Sequence, residues 1–255
     1  MPAASIIDFH KLTRKSFRKW LEELHLLTYP DSNQPAPDRR DQKTYYFQAT
    51  RSRKVLVATF ESIYRTCAKL EIEGAEKLPA EGPVILAANH LSNYDVFPLQ
   101  FALPRTIFFM GKEELFRNPI MDWLLRQLGG FPVYRGERDE WAVRHAQSIL
   151  EHGQVLGMFP EGSRSQGIGL RPAKTGIARL AQASQAPIVP GALHGPQYMF
   201  RRFPKRTTVQ VRFGDPIFPQ AGETHLSLTD RVMFALAELL PPESRGVYQF
   251  RPEGF

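Results

Sequence analysis

Apolar positions recur at helical spacing from residue 5 to residue 27, where Ile6, Phe9, Leu12, Phe17, Trp20, Leu21, Leu24 and Leu27 fall on one face. Lys11, Arg14, Lys15, Arg18 and Lys19 fall opposite. The next stretch, TYPDSNQPAPDRRDQ at 28–42, is rich in Pro, Asp and Asn and cannot continue that helix. A second amphipathic pattern follows over 51–70, through Leu56, Phe60, Ile63, Tyr64, Cys67 and Leu70. The pattern predicts two helices joined by a linker.

From LEIEG at residue 70 onward, short apolar runs alternate with helical patterns. Strands are predicted at 83–88, 105–110, 131–134, 155–159, 187–192 and 207–213, and helices at 93–102, 118–128, 138–152, 173–184 and 227–240. This alternation predicts an α/β fold: a central, largely parallel or mixed sheet flanked by helices and preceded by the N-terminal two-helix segment. The expected division is 1–70, 71–245 and a C-terminal tail at 246–255, with no internal repeat.

Composition narrows the partners more than the fold. With 42% hydrophobic and 23% charged residues, the 255-residue chain supports one substantial core, which sets aside disorder and fibrous architecture for most of it. Its 33 Lys and Arg against 26 Asp and Glu give a net charge of +7, which favours an anionic partner: nucleic acid, an anionic membrane or a phosphorylated substrate. Scattered cations, with no nucleic-acid-binding motif and no row of strand aromatics, argue against nucleic acid. Cys67 is the only cysteine, so no intramolecular disulfide forms, and a reducing cytosolic setting fits. The start MPAASIIDFHKLTRK has no secretory pattern and no long apolar run occurs, so any membrane contact is expected to be peripheral, on the cytoplasmic face. The basic helix at 5–27 suits a bilayer interface, and the same pattern serves a helix packed on protein.

Candidate chemistry concentrates after two of the strands. In AANHLSNYDVFPL, 87–99, His90 precedes Asp95 by five residues at the end of an apolar run. Ser92 and Asp95 fit a capping box that opens a helix, and Asn89 reads as a loop residue. That reading leaves His90 unassigned. In the alternative, Asp95 accepts from one imidazole nitrogen while the other takes a proton from a substrate hydroxyl. Residues five apart in one straight helix diverge, so the pair meets only if His90 lies in the turn before the helix and Asp95 at its start. No Gly-x-Ser-x-Gly elbow occurs, so a covalent acyl-enzyme is not indicated. His145 and His152 lack ligand spacing, and no metal is expected.

The second site, VLGMFPEGSRSQG at 155–167, is again a strand running into a loop. Gly162 permits close backbone approach, Ser163 and Ser165 offer hydroxyls, Arg164 offers a planar fork for phosphate, and Glu161 is placed to hold a hydroxyl or orient Arg164. A Pro/Gly turn with an exposed arginine is the plain alternative. The loop lacks the Gly-Lys-Ser/Thr ending of a P-loop.

Together, NHLSNYD at 89–95 and FPEGSRS at 159–165 resemble the two signature blocks of the glycerolipid acyltransferase family, which includes lysophosphatidic acid acyltransferases. GKEELFRNPIMDWLLRQLGG, GGFPVYRG and IVPGALHG resemble its further blocks in order, and the similarity covers roughly residues 70 to 215. The resemblance implies acyl transfer from acyl-CoA or acyl carrier protein to the free hydroxyl of a phosphorylated glycerol lipid, without a cofactor. It implies His90 as base and Asp95 as its partner. Glu161, Gly162, Ser163 and Arg164 would bind the acceptor, with Lys112 and Arg135 as further phosphate contacts. Tyr134 departs from the acidic residue often found before that arginine, and Ser163 replaces the commoner Thr. The expected acceptor is the lysophospholipid 1-acylglycerol-3-phosphate, ahead of glycerol-3-phosphate or another lyso-lipid. Phe97, Phe101, Phe108 and Phe109 are candidates for an acyl groove. Some members of the family dock on membranes through a short N-terminal helical motif, which residues 5–70 resemble. The competing class is a non-catalytic basic module for membranes or nucleic acid.

Overall fold

The computed structural model describes residues 38–47, 50–134, 139–165, 169–199 and 205–251. The chain divides into two compact units, 1–43 and 44–255. In the first, residues Arg39–Gln42 form a 3-10 turn capped by Asp38, which accepts from the Arg40 backbone N–H at 2.9 Å and pairs with its guanidinium at 2.6 Å. The expected helix at 5–27 lies outside the described residues.

The second unit is built on a seven-stranded sheet: β1 (Ala68–Glu73), β2 (Val84–Ala88), β3 (Ile107–Lys112), β4 (Gly130–Val133), β5 (Val155–Met158), β6 (Ile188–His194) and β7 (Thr207–Phe213). The spatial order is β1-β7-β6-β2-β5-β3-β4. Neighbours run parallel except β6 and β7. The helices are α1 (Arg51–Cys67), α2 (Val96–Ala102), α3 (Pro119–Gln127), α4 (Glu140–Glu151), α5 (Gly176–Ser184) and α6 (His225–Glu238). This is the mixed sheet flanked by helices that the alternation predicts.

Strand β2 explains why its sequence is an unbroken apolar run. Ile85 and Ala87 enter a core with α4, α5 and α6, while Val84, Leu86 and Ala88 enter the core on the opposite face with α2. A strand covered on both faces has no solvent side to make polar.

The N-terminal part of this unit corrects the expectation at three points. Helix α1 ends at Cys67 instead of continuing to 70, because residues from Ala68 pair in parallel with β7 and find their backbone partners there. Its packed face centres on Arg53, Phe60 and Tyr64, leaving Ile63 exposed at the margin. The compact unit begins at Thr44, so α1 and β1 belong with the sheet and not with a separate segment ending at 70. At the other end, Tyr248 lies edge-on to Phe234 with centroids 5.3 Å apart and accepts from the Ala173 N–H at 3.1 Å, so the expected tail is folded onto the core at its start.

The arrangement that matters for function is directional. Strands β2, β3, β4, β5 and β6 are mutually parallel and end on one edge of the sheet. The two motifs follow β2 and β5, which are neighbours. Such an edge is where open α/β sheets place ligands.

Candidate active site

The first motif is anchored by the residue that the sequence reading leaves in a loop. Asn89 is buried, and its side-chain amide extends the sheet pairing. Its Nδ2 donates to the Leu193 carbonyl at 2.9 Å, and the Leu193 N–H donates to its Oδ1 at 2.7 Å. His90 is thereby fixed one residue beyond a rigid clasp to β6. Asn89→Ala strands both Leu193 groups and is expected to destabilise the fold by about 1 to 3 kcal/mol, read as a lowered denaturant midpoint.

Asp95, fully buried, gathers the turn that follows. Its Oδ2 accepts from His90 Nδ1 at 2.8 Å, from the Leu91 N–H at 2.6 Å and from the Ser92 N–H at 2.8 Å. Its Oδ1 accepts from the Ser92 hydroxyl at 2.7 Å. The helix proper starts only at Val96, which places His90 in the turn and Asp95 at the helix start, as their meeting requires. The capping box does not form as expected, because Asp95 is itself the N-cap and makes no side-chain cap bond to the helix, while the same carboxylate binds both the turn's amides and the histidine. An ionised carboxylate only accepts, so Nδ1 carries the proton and Nε2 keeps its lone pair.

The second motif closes over the first. Phe159 stacks on the His90 ring at 4.2 Å between centroids and Phe109 stacks behind it at 5.8 Å. Gly157 makes room for this, since a Cβ there would overlap the Phe109 ring. The Ser165 N–H donates to the His90 carbonyl at 2.8 Å. Glu161 is buried and braces the loops: one oxygen accepts from the His90 N–H at 2.9 Å, the other from the Arg171 N–H at 3.0 Å. Burial pushes its pKa up against the pull of those donors and of the nearby His90 and Arg171. Its two oxygens are engaged by backbone, and Arg164 is not among its partners.

Arg164 is exposed and makes no hydrogen bond or ion pair among the described residues. Gly162 has φ +68, and a side chain there would press on the Lys174 methylenes at 3.0 Å. Ser163 accepts from the Arg171 guanidinium at 2.6 Å. The motif loop thus carries three cations, Arg164, Arg171 and Lys174, and its one carboxylate is turned inward.

Other expected residues are placed less directly. Lys112 ends β3 on the same edge and pairs with Glu114 at 2.8 Å. Arg135 lies outside the described residues. The four phenylalanines do not form one groove. Phe108 and Phe109 point to opposite faces of the sheet, and Phe108 lies in the other core beneath the Arg53 guanidinium. Phe97 and Phe101 pack against Phe60 and Tyr64 of α1. Only Phe109 reaches the histidine's stack.

Sequence reasoning missed Asn89, Phe159, Arg171 and Lys174 as parts of the site. The first two sit inside the motifs, adjacent to His90 and Glu161 or nearly so. The last two carry no local signal, since their relevance comes from the return of the loop. Among the described residues, no group of three or more His, Cys, Asp or Glu is placed to hold a metal ion. What remains is an imidazole hydrogen-bonded to a buried carboxylate, with the unpaired Arg164 on the neighbouring loop.

Comparison with known proteins gives a consistent picture. A family model described as Acyltransferase matches residues 69–194, a span that holds both motifs. The chain is 32% identical over 173 residues to 1-acyl-sn-glycerol-3-phosphate acyltransferase of Bacillus subtilis (strain 168), covering 67% of this chain and 84% of that protein. It is 32% identical over 145 residues to the protein of the same name from Streptococcus pneumoniae, covering 56% of this chain and 53% of that one, about half its length. The fold resembles the crystal structure of the 1-acyl-sn-glycerophosphate (LPA) acyltransferase PlsC from Thermotoga maritima, with a TM-score of 0.60, 23% identity and coverage of 88% and 87% of the two chains.

Proposed function

Because the chain belongs to the acyltransferase family, we propose that it moves a fatty acyl group from a thioester to the free hydroxyl of 1-acylglycerol-3-phosphate, giving phosphatidic acid. The donor is acyl-CoA or acyl carrier protein, and the reaction serves phospholipid synthesis. Family membership sets aside the reading as a non-catalytic basic module. The observation that carries the proposal is the His90–Asp95 pair, 2.8 Å apart, with Nε2 left for a substrate and the unpaired guanidinium of Arg164 following on the neighbouring strand's loop.

In the reaction, the acceptor hydroxyl oxygen attacks the thioester carbonyl carbon while its proton passes to His90 Nε2. Asp95 holds the ring in the Nδ1–H tautomer and stabilises the imidazolium that forms. Collapse of the tetrahedral intermediate breaks the carbon–sulfur bond. The departing thiolate takes the proton back from Nε2, and the pair is reset. Arg164 holds the acceptor's phosphate, with the backbone at Gly162 and the Ser163 hydroxyl beside it and Lys112 and Arg135 as further contacts. No described helix is long and apolar enough to cross a membrane. With an amphiphilic acceptor, the enzyme works peripherally at an anionic membrane surface.

Two measurements test this reading. Mass spectrometry of products formed from a mixture of glycerol-3-phosphate and several lyso-lipids, with thioester consumption followed in parallel, is expected to show phosphatidic acid as the main product. A dominant product from another acceptor would replace the substrate assignment. Arg164→Ala is expected to raise KM for the phosphorylated acceptor roughly 10- to 100-fold, the worth of about 1.5 to 3 kcal/mol of charge-assisted contact. Lys at this position should restore part of it, lacking the fork. A raised KM for the donor with an unchanged KM for the acceptor would move Arg164 to the donor's side.

A further inference from the structure

Helix α3 is inside out. Its polar residues face the protein: Arg126 and Asp122 pair at 3.1 Å with side chains only 15% and 7% exposed, and Arg126 also donates to the Thr44 carbonyl at 2.8 Å. Ile120, Met121 and Trp123 are 75%, 41% and 47% exposed, while Leu124 and Leu125 are half-buried. At 100° per residue, Ile120, Trp123 and Leu124 share one side, opposite Asp122. Gln127, which ends that outward stripe, is covered by the first turn of α1, where the Thr50 and Ser52 hydroxyls donate to its Oε1 at 3.1 and 2.8 Å. A surface helix ordinarily buries its apolar stripe and leaves its charges in water, so the reversed order marks a face that meets an apolar medium.

The position of this helix says which medium. Helix α3 crosses from β3 to β4, so its first turn, together with the preceding turn Glu113–Phe116, lies at the carboxyl edge of the sheet. His90, Phe159 and the Arg164 loop lie on that same edge. Leu115, Tyr94 and Tyr198 are also exposed there, and amphipathic aromatic rings favour the boundary between lipid and water. The cations complete the pattern. On this edge Lys112 and Arg117 pair with Glu114 and Glu113, while Arg164 and Lys174 have no carboxylate partner among the described residues.

We infer that the outward face of α3 and the adjoining carboxyl edge dock on an anionic lipid bilayer. Leu115, Ile120 and Trp123 enter the headgroup boundary and the unpaired cations face lipid phosphates. The inference deepens the proposed function, resting on its amphiphilic acceptor, because docking here brings His90 to the lipid surface where that acceptor resides.

The test uses the full chain and the double variant Ile120→Glu, Trp123→Glu, neither position being part of the proposed catalytic or phosphate site. Binding is read by sedimentation with vesicles of phosphatidylcholine and phosphatidylglycerol, and turnover is read with acceptor in vesicles and in detergent micelles. Vesicle affinity is expected to fall about tenfold or more, with turnover on vesicles falling in step, while micellar turnover and melting temperature stay unchanged. Unchanged vesicle binding would overturn the inference. So would a lowered melting temperature or a changed oligomeric state, since either would mean that another part of the protein or a second copy covers the face. Failure of the acceptor reading shows separately, as absent micellar turnover by the unsubstituted chain, and sedimentation decides docking in that case too.

Discussion

His90→Ala is expected to lower turnover by about 10²- to 10⁴-fold with little change in stability. The ring's proposed task is proton transfer from the acceptor hydroxyl, and no described neighbour offers a second imidazole bound to Asp95. Apart from its stack on Phe159, the ring carries none of the bonds that shape the turn. Without it, Asp95 still accepts from the Leu91 and Ser92 N–H groups and from the Ser92 hydroxyl, so the turn keeps its shape. The backbone clasp is also unaffected, because Glu161 and Ser165 bond the main chain of residue 90 and not its side chain. Turnover under saturating donor and acceptor, with a thermal melt of the same preparation, gives the check. A folded variant with near-normal turnover would remove His90 from the mechanism.

Asp95→Asn is expected to combine a comparable fall in turnover with a measurable loss of stability. The buried carboxylate takes four donors, three of them on Oδ2. Asparagine retains a single carbonyl oxygen. If that oxygen replaces Oδ2, the turn amides stay satisfied and the new NH₂ group meets the Ser92 hydroxyl, which is able to accept. The imidazole then still has an acceptor, but the imidazolium formed during proton transfer has lost its negative partner, so the loss is expected in kcat more than in KM. Weaker acceptance by a neutral oxygen should cost about 1 to 3 kcal/mol. The discriminating result is the pairing of the two measurements. A severe loss of stability with full activity in the remaining folded enzyme would make Asp95 a turn residue and nothing more.

How much of this is legible before folding depends on the range of the interaction. The β2 run VILAA, the helical period of α4 and the five-residue step from His90 to Asp95 are local facts, and the chain alone implies a strand, a turn and a helix start that bring the pair together. The same holds for the Pro-Glu-Gly turn after β5, whose Gly162 takes a positive φ. Local sequence therefore determined the α/β class, the places of both motifs and the acyltransferase resemblance. Long-range pairing decided the rest. That Asn89 belongs to β6, that Glu161 holds the backbone of a residue 71 positions earlier, and that Lys174 returns over Gly162 are contacts with no period to read. The same is true where the structure overruled a pattern. Helix α1 gave up its last turn to pairing with β7. Phe108 and Phe109 were split between two cores by the strand's alternation. Helix α3 buries its Asp122–Arg126 pair and exposes Ile120 and Trp123. An apolar stripe tells that a helix has two unlike sides, but only the packed molecule decides which side meets the protein, because that choice is made by the partners waiting on each side.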